Sequence, residues 1–221
     1  DSGRTVKELG HLGFDGRPIR SVRRDASANR RKAVDVARAL FAERGQLVTM
    51  EEVAAAAGIG KGTLYRGFPG RAQLAQAVLD DLSRELQAEL LAGMGLAEAC
   101  PVGVLRAFLR RAYAFRVQHL DLFLMAHDGD RAEIRNSPAY LWERQAVAGL
   151  LRHAANRGLS DPADPDLLPD AVMALLDPDL IRHHRDVLAV SADRGADALV
   201  DMVFGAARIG GMGPTGGISR N

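Results

Sequence analysis

With 221 residues the chain is long enough for one large domain or two small ones, and with 5% aromatics it offers little material for sheets, so an all-α protein is expected. The lone Cys100 excludes an internal disulfide, no apolar run approaches bilayer-spanning length and no secretion signal opens the sequence, so a cytoplasmic protein without membrane contact is expected. The net charge of +1 conceals an asymmetry: residues 17–94 carry 13 Lys and Arg against 9 acids, and residues 95–221 carry 14 against 16.

Residues 1–26 hold Gly3, Gly10, Gly13 and Gly16 and write no helix, so a flexible arm is expected. The sharpest charge excess lies at its end, where Arg17, Arg20, Arg23, Arg24, Arg30, Arg31 and Lys32 face only Asp25. Such a basic segment suits a polyanionic partner or a solvated tail. From about Asn29 to Glu43, Ala33, Val36, Ala37, Leu40 and Phe41 fall on one helical face, and Gly45 closes the helix. Thr49 and Glu52 then form a Thr-x-x-Glu capping box, and Val48 and Val53 fit a hydrophobic staple. A helix is therefore expected after Thr49, running to Ala57 and stopped by Gly58. A turn over 59–61 leads to a second helix of under two turns, about 62–67, which Pro69-Gly70 breaks. A third helix is expected from Arg71 to about Ala92, with Leu74, Val78, Leu82, Leu86 and Leu90 four apart.

Gly93, Gly95 and Pro101 mark a joint, which divides the chain into a head over 27–94 and a second domain over 95–209. In the second domain a long helix is expected over about 102–126, then a short one over 131–136. Further helices are expected over about 138–156, 166–176, 178–189 and 193–209, and a disordered tail over 210–221.

Two short helices around a tight glycine turn make a helix-turn-helix, whose second helix enters the DNA major groove. Leu64 and Phe68, four apart and apolar, are expected to hold that helix down. Lys61 and Arg66 are candidate readers of guanine edges or holders of phosphate, and Gly62 is grouped with them on the DNA side. Thr63 suits a phosphate contact or a helix cap. Arg71, at a helix N-terminus, can clamp phosphate, and Arg23, Arg24, Arg30 and Arg31 are phosphate or minor-groove candidates.

The stretch Thr63-Leu64-Tyr65-Arg66-Gly67-Phe68-Pro69-Gly70-Arg71-Ala72-Gln73-Leu74 resembles the recognition helix and following helix of the TetR family of transcriptional repressors. Ala37-x-x-Leu40-Phe41-x-x-x-Gly45 and Thr49-x-x-x-Val53-Ala54-x-x-Ala57-Gly58 fit the same pattern, so the resemblance covers about residues 29–76. Gly70 stands where the family usually has Ser, Asn or Asp, Arg71 where Lys is commoner, and Gly67 where a bulkier residue is usual. The resemblance implies a three-helix DNA-binding head and a helical ligand-binding and dimerisation domain. It implies a phosphate contact by the Tyr65 hydroxyl, against the alternative of a packing tyrosine, and places Thr49 near the DNA backbone.

The resemblance further implies a small-molecule effector held between the C-terminal helices. Candidate lining residues are Phe108, Tyr113, Phe115, Arg116, His119, Phe123, Met125, Trp142, Gln145 and Met173, all of which could equally fill a core. It also implies a homodimer through the helices at about 166–176 and 193–209, with Leu167, Val172, Leu175, Leu176, Leu199, Val200, Val203 and Phe204 packing against their copies. Two symmetric heads would meet a palindromic double-stranded operator.

His127, Asp128 and Asp130, and His183, His184 and Asp186, lie close in sequence but match no zinc spacing, and a packing role suffices for Cys100. No nucleophile–base set, phosphate loop or cofactor motif is present, so neither an enzyme, a cofactor nor a metal is expected. The competing expectation is a small-molecule-binding helical protein that no longer reads DNA specifically.

Overall fold

The computed structural model describes residues 19–93, 100–159 and 166–210, and the arm over 1–18, most of the joint and the tail over 211–221 lie outside them. Among the described residues there are eleven α-helices and no strand, and no helix is long and apolar enough to cross a membrane. The chain divides into two compact units, residues up to Leu79 and residues from Asp80 onward. The division falls inside a helix that the sequence reading assigned whole to the head.

The head begins with α1 (Ile19–Arg44), ten residues earlier than expected. Nothing between Pro18 and Gly45 breaks a helix, so the segment expected as the end of a flexible arm, 19–26, is helical and carries Arg20, Arg23 and Arg24. Its buried stripe is Ala33, Val34, Ala37 and Phe41; Val36 and Leu40 are only half-buried. A short 3-10 turn (Gly45–Leu47) follows, entered through Gly45 at φ +54.

Helix α2 (Met50–Ala57) starts on the capping box read from sequence: Glu52 N donates to Thr49 Oγ1 at 3.3 Å, and Thr49 N donates to Glu52 Oε2 at 2.8 Å. Such a cap stabilises by about 1 kcal/mol. The staple residues Val48 and Val53 are buried. Gly58, at φ +63, ends the helix with its amide on the carbonyls of Ala54 and Ala55. Helix α3 (Lys61–Gly67) follows, pinned by Leu64 and Phe68, each 1% exposed. Helices α1, α2 and α3 pack on one another, and α4 (Arg71–Gly93) completes the head with Leu74, Ala75, Val78 and Leu79 buried.

In the second unit, Leu82, Leu86 and Leu90 of α4 are buried, which carries the four-residue spacing to the helix end. The long helix expected over 102–126 is two helices, α5 (Pro101–Gln118) and α6 (Leu120–His127). The backbone leaves the α region at His119 (φ −112, ψ 27) without glycine or proline, while the apolar spacing runs on through Phe115 and Leu122. Then come α7 (Arg131–Arg135), capped by Asp130, and α8 (Pro138–Asn156), capped by Ser137. The last three are α9 (Leu168–Ala174), α10 (Pro178–Asp186) and α11 (Ala192–Gly210). Helix α5 is the axle: α8, α10 and α11 all pack on it.

Ion pairs link α11 to α5. Arg106 reaches Asp197 at 2.8 Å and Asp201 at 3.3 Å, and Arg110 reaches Asp197 at 2.8 Å. At the exposed edge where they lie each contributes about 0–1 kcal/mol. The closer constraint is Gly195, where a Cβ would sit 2.7 Å from the Tyr113 ring, so glycine lets the buried tyrosine lie against α11.

Candidate nucleic-acid interface

Helix α3 is amphipathic over two turns. Leu64 faces the core, while Lys61, Gly62, Tyr65, Arg66 and Gly67 are exposed and Thr63 is half-buried. A Cβ at Gly62 or Gly67 would meet nothing within 4 Å, so both glycines leave the outer face of the helix low. Arg66 Nη2 donates to Thr63 Oγ1 at 3.2 Å, which holds the guanidinium along the helix. Tyr65 is 40% exposed.

One residue of this surface was not singled out in the sequence. Glu51, in the first turn of α2, accepts from Tyr65 Oη at 3.4 Å and pairs with Lys61 Nζ at 2.7 Å. The Lys61 hydrogen bond holds the Glu51 carboxyl below the usual range, and Glu51 in turn raises the Lys61 ammonium. The contact joins residues ten and fourteen apart across the turn, so no local spacing announces it.

The other expected DNA contacts divide. Thr49 is exposed, but both its hydroxyl and its amide are engaged in the cap. Arg30, exposed on α1, makes contacts within the head: Nη1 donates to Gly67 O at 2.8 Å, and the guanidinium lies 4.2 Å over the Phe68 ring. It thus ties α1 to the end of α3, a role the charge pattern did not suggest. Arg31 is exposed on α1. Arg71 Nη1 donates to Gln46 O at 2.7 Å and so fastens the start of α4 to the 3-10 turn.

The residues expected around an effector sit mostly in the second unit's core. Phe108, Tyr113, Phe115, Arg116, Met125 and Met173 are buried, and His119, Phe123 and Trp142 are half-buried. Gln145 is exposed and lines no interior, a correction that follows from its place on the outer side of α8. The aromatics form two groups: Phe108 with Trp142 at 5.9 Å, and Phe115 with His119 at 4.8 Å and Phe123 at 5.9 Å. Arg116 is not an open cation for an anionic ligand, because Glu143 Oε2 accepts from its Nη2 at 2.5 Å and both side chains are buried. Tyr113 Oη lies 3.1 Å from His184 Nδ1, and burial lowers the His184 imidazole below its ordinary value.

His127 meets neither Asp128 nor Asp130 as a ligand set. It approaches Asp177 and Asp179, with one donor atom from each within 4.8 Å of the others. Those three could offer ligands to a cation, but Arg131 already stands 3.7 Å from Asp177 and 3.6 Å from Asp179. Cys100 is exposed in front of α5, so the packing role expected for it does not hold.

The residues of the expected dimer face differ in exposure. Val172, Leu176 and Val200 are fully buried within one protomer and Leu199 and Val203 nearly so, while Leu175 and Phe204 are half-buried and Leu167 is exposed. The large apolar side chains exposed near these helices are Leu167, Val187, Leu188 and Met202.

A three-helix head with a short, well-anchored and exposed second reading helix, joined to a separate helical unit, is the build of a DNA-binding regulator. Residues 33–78 match the family model of bacterial regulatory proteins, tetR family. The match identifies the first unit as a TetR-type DNA-binding head. No curated protein matches the sequence. Among solved structures, RolR in complex with resorcinol is 26% identical, with 89% of this chain and 99% of RolR covered at a TM-score of 0.65. RolR without ligand is also 26% identical, with 85% and 99% covered and a TM-score of 0.62. AibR in complex with isovaleryl coenzyme A and operator DNA is 21% identical, with 80% and 98% covered and a TM-score of 0.54; at that identity the likeness is one of fold.

Proposed function

We propose that the protein is a ligand-released transcriptional repressor that binds a palindromic operator as a homodimer. The observation that carries this reading is the outer face of α3, where Lys61, Tyr65 and Arg66 are exposed while Leu64 and Phe68 anchor the helix from below. Arg66 is the side chain for a base edge, since a guanidinium matches the O6 and N7 acceptors of guanine. Lys61, Thr63 and Tyr65 supply phosphate contacts, and the basic α1 with Arg31 adds non-specific attraction. Arg71 contributes through the amides at the start of α4 and through guanidinium donors beyond the one on Gln46.

The effector belongs to the second unit. The aromatic groups around Phe108 and Phe115, together with the likeness to RolR bound to resorcinol, support a small aromatic molecule rather than a strongly anionic one. Arg116 is already neutralised by Glu143, which argues against an anion there. Binding would shift the population toward a form that fits the operator poorly. The second copy would cover Leu167, Val187, Leu188 and Met202. The head, the joint through α4 and the second unit would thus act as reader, link and sensor.

The test is operator binding by Arg66→Ala and Tyr65→Phe. Arg66→Ala is expected to weaken a selected site by about 1–3 kcal/mol and to relax preference at one position of each half-site. Tyr65→Phe is expected to weaken all duplexes alike. Equal affinity of both variants and the parent for every duplex would leave a helical ligand-binding protein without specific DNA reading.

A further inference from the structure

We propose that Glu51 is a specificity-determining residue of the head: its carboxylate stands in for a DNA phosphate and competes with DNA for Lys61 and Tyr65. The inference rests on the DNA-reading role given above and deepens it. Lys61 and Tyr65 are four apart on α3 and so share one face of that helix. Both point their polar ends at the same anion, Glu51 Oε1, at 2.7 and 3.4 Å. The pair lies open to water, with the Lys61 side chain 61% and the Glu51 side chain 50% exposed. Nothing of the core depends on it, so a phosphate can displace the carboxylate.

The consequence follows from how the two kinds of DNA binding are built. Non-specific binding consists of cation–phosphate contacts, with affinity falling as salt releases counterions. A lysine already neutralised by a neighbouring carboxylate adds little to that sum, and the carboxylate itself repels the duplex. In a specific complex, base contacts and a fixed register hold Lys61 and Tyr65 against one phosphate each, and an exposed ion pair is weak enough to give way. Glu51 therefore penalises loose binding more than registered binding and widens the ratio between them, which is the quantity a regulator needs among many competing sites.

The test compares the full-length protein with Glu51→Gln and Glu51→Ala, each alone and combined with Lys61→Ala, by anisotropy on a random-sequence duplex across a salt series. Thermal melts confirm that each variant is folded. The expected result is a roughly five- to tenfold gain in random-duplex affinity on losing the carboxylate, with a salt slope steeper by about 0.9 per head. Lys61→Ala should cost under about twofold beside Glu51 and the whole of that gain without it. Unchanged or weaker binding by Glu51→Gln and Glu51→Ala, or an equal cost of Lys61→Ala in both backgrounds, overturns the role of Glu51 while leaving DNA reading intact. Failure of every form, parent included, to bind any duplex at low salt overturns the DNA reading itself, and the role of Glu51 with it.

Discussion

Replacing Glu143 by leucine should destabilise the second unit by about 3–5 kcal/mol, although the substitution is apolar, similar in size and placed in an apolar core. The structure gives the reason. Arg116 and Glu143 are 5% and 4% exposed, and their charged atoms approach to 2.5 Å. At an effective dielectric near 20 the attraction is about 6–7 kcal/mol, a sum that the loss of both hydration shells largely offsets. In Glu143→Leu the attraction vanishes and the desolvation of Arg116 remains. Its other contacts, the Ala112 carbonyl at 3.3 Å and the Phe123 ring at 5.2 Å, cannot carry a full charge. For a chain of this size about 2–4 °C is lost per kcal/mol, so the melting temperature should fall by roughly 6–20 °C. Trp142, the single tryptophan and one residue from the site, gives a fluorescence signal specific to this unit. The double variant Arg116→Met, Glu143→Leu should recover most or all of the loss. A cost below about 1 kcal/mol for Glu143→Leu, or a double variant as unstable as the single one, would refute the reasoning, because water must then reach the guanidinium.

Gly195→Ala should destabilise despite the better helix propensity of alanine, since the new Cβ meets buried ring atoms of Tyr113 at 2.7 Å. Overpacking costs about 1–3 kcal/mol against at most about 1 gained, and Tyr113→Leu should reverse the sign; calorimetry of the four forms checks this. Thr49→Ala should cost about 0.5–2 kcal/mol by removing the side-chain half of the capping box, read as an earlier melt of the head. The Glu52 carboxyl is held down to about 2, first by the Thr49 amide and then by Arg44. Because its folded value is depressed, its stabilisation is complete above the unfolded value near 4.5 and disappears as pH falls toward 2. The advantage of the parent over Glu52→Gln in urea midpoint should therefore vanish across that window.

What the sequence disclosed and what it hid separate by the range of the interaction. The capping box at Thr49 and Glu52, the stop at Gly58 and the four-residue leucine spacing of α4 are written in neighbouring residues, and each stands in the structure where the spacing put it. The start of α1 was hidden because 19–28 is rich in arginine and has no apolar stripe to announce a helix, although nothing there breaks one. The break at His119 was hidden because no residue there forces it.

In the interface, the exposed face of α3 could be read from Leu64 and Phe68 alone, since burying those two aims the others outward. The engagements of Arg30 with Gly67, Glu51 with Lys61 and Arg116 with Glu143 join residues 37, 10 and 27 apart, and only the packing of helices brings them together. The expected dimer residues show the converse. An apolar stripe tells which side of a helix avoids water, but Val200 and Leu176 satisfy that demand within their own protomer.

The central claim is that the head reads sequence and does so in symmetric pairs. The most direct test is selection of bound duplexes from a random library by the full-length protein at near-physiological salt. The account predicts recovery of one palindromic motif, its half-sites about one helical turn apart, and loss of that enrichment in Arg66→Ala. Recovery of no motif above background, with salt-sensitive binding to every duplex alike, would contradict it.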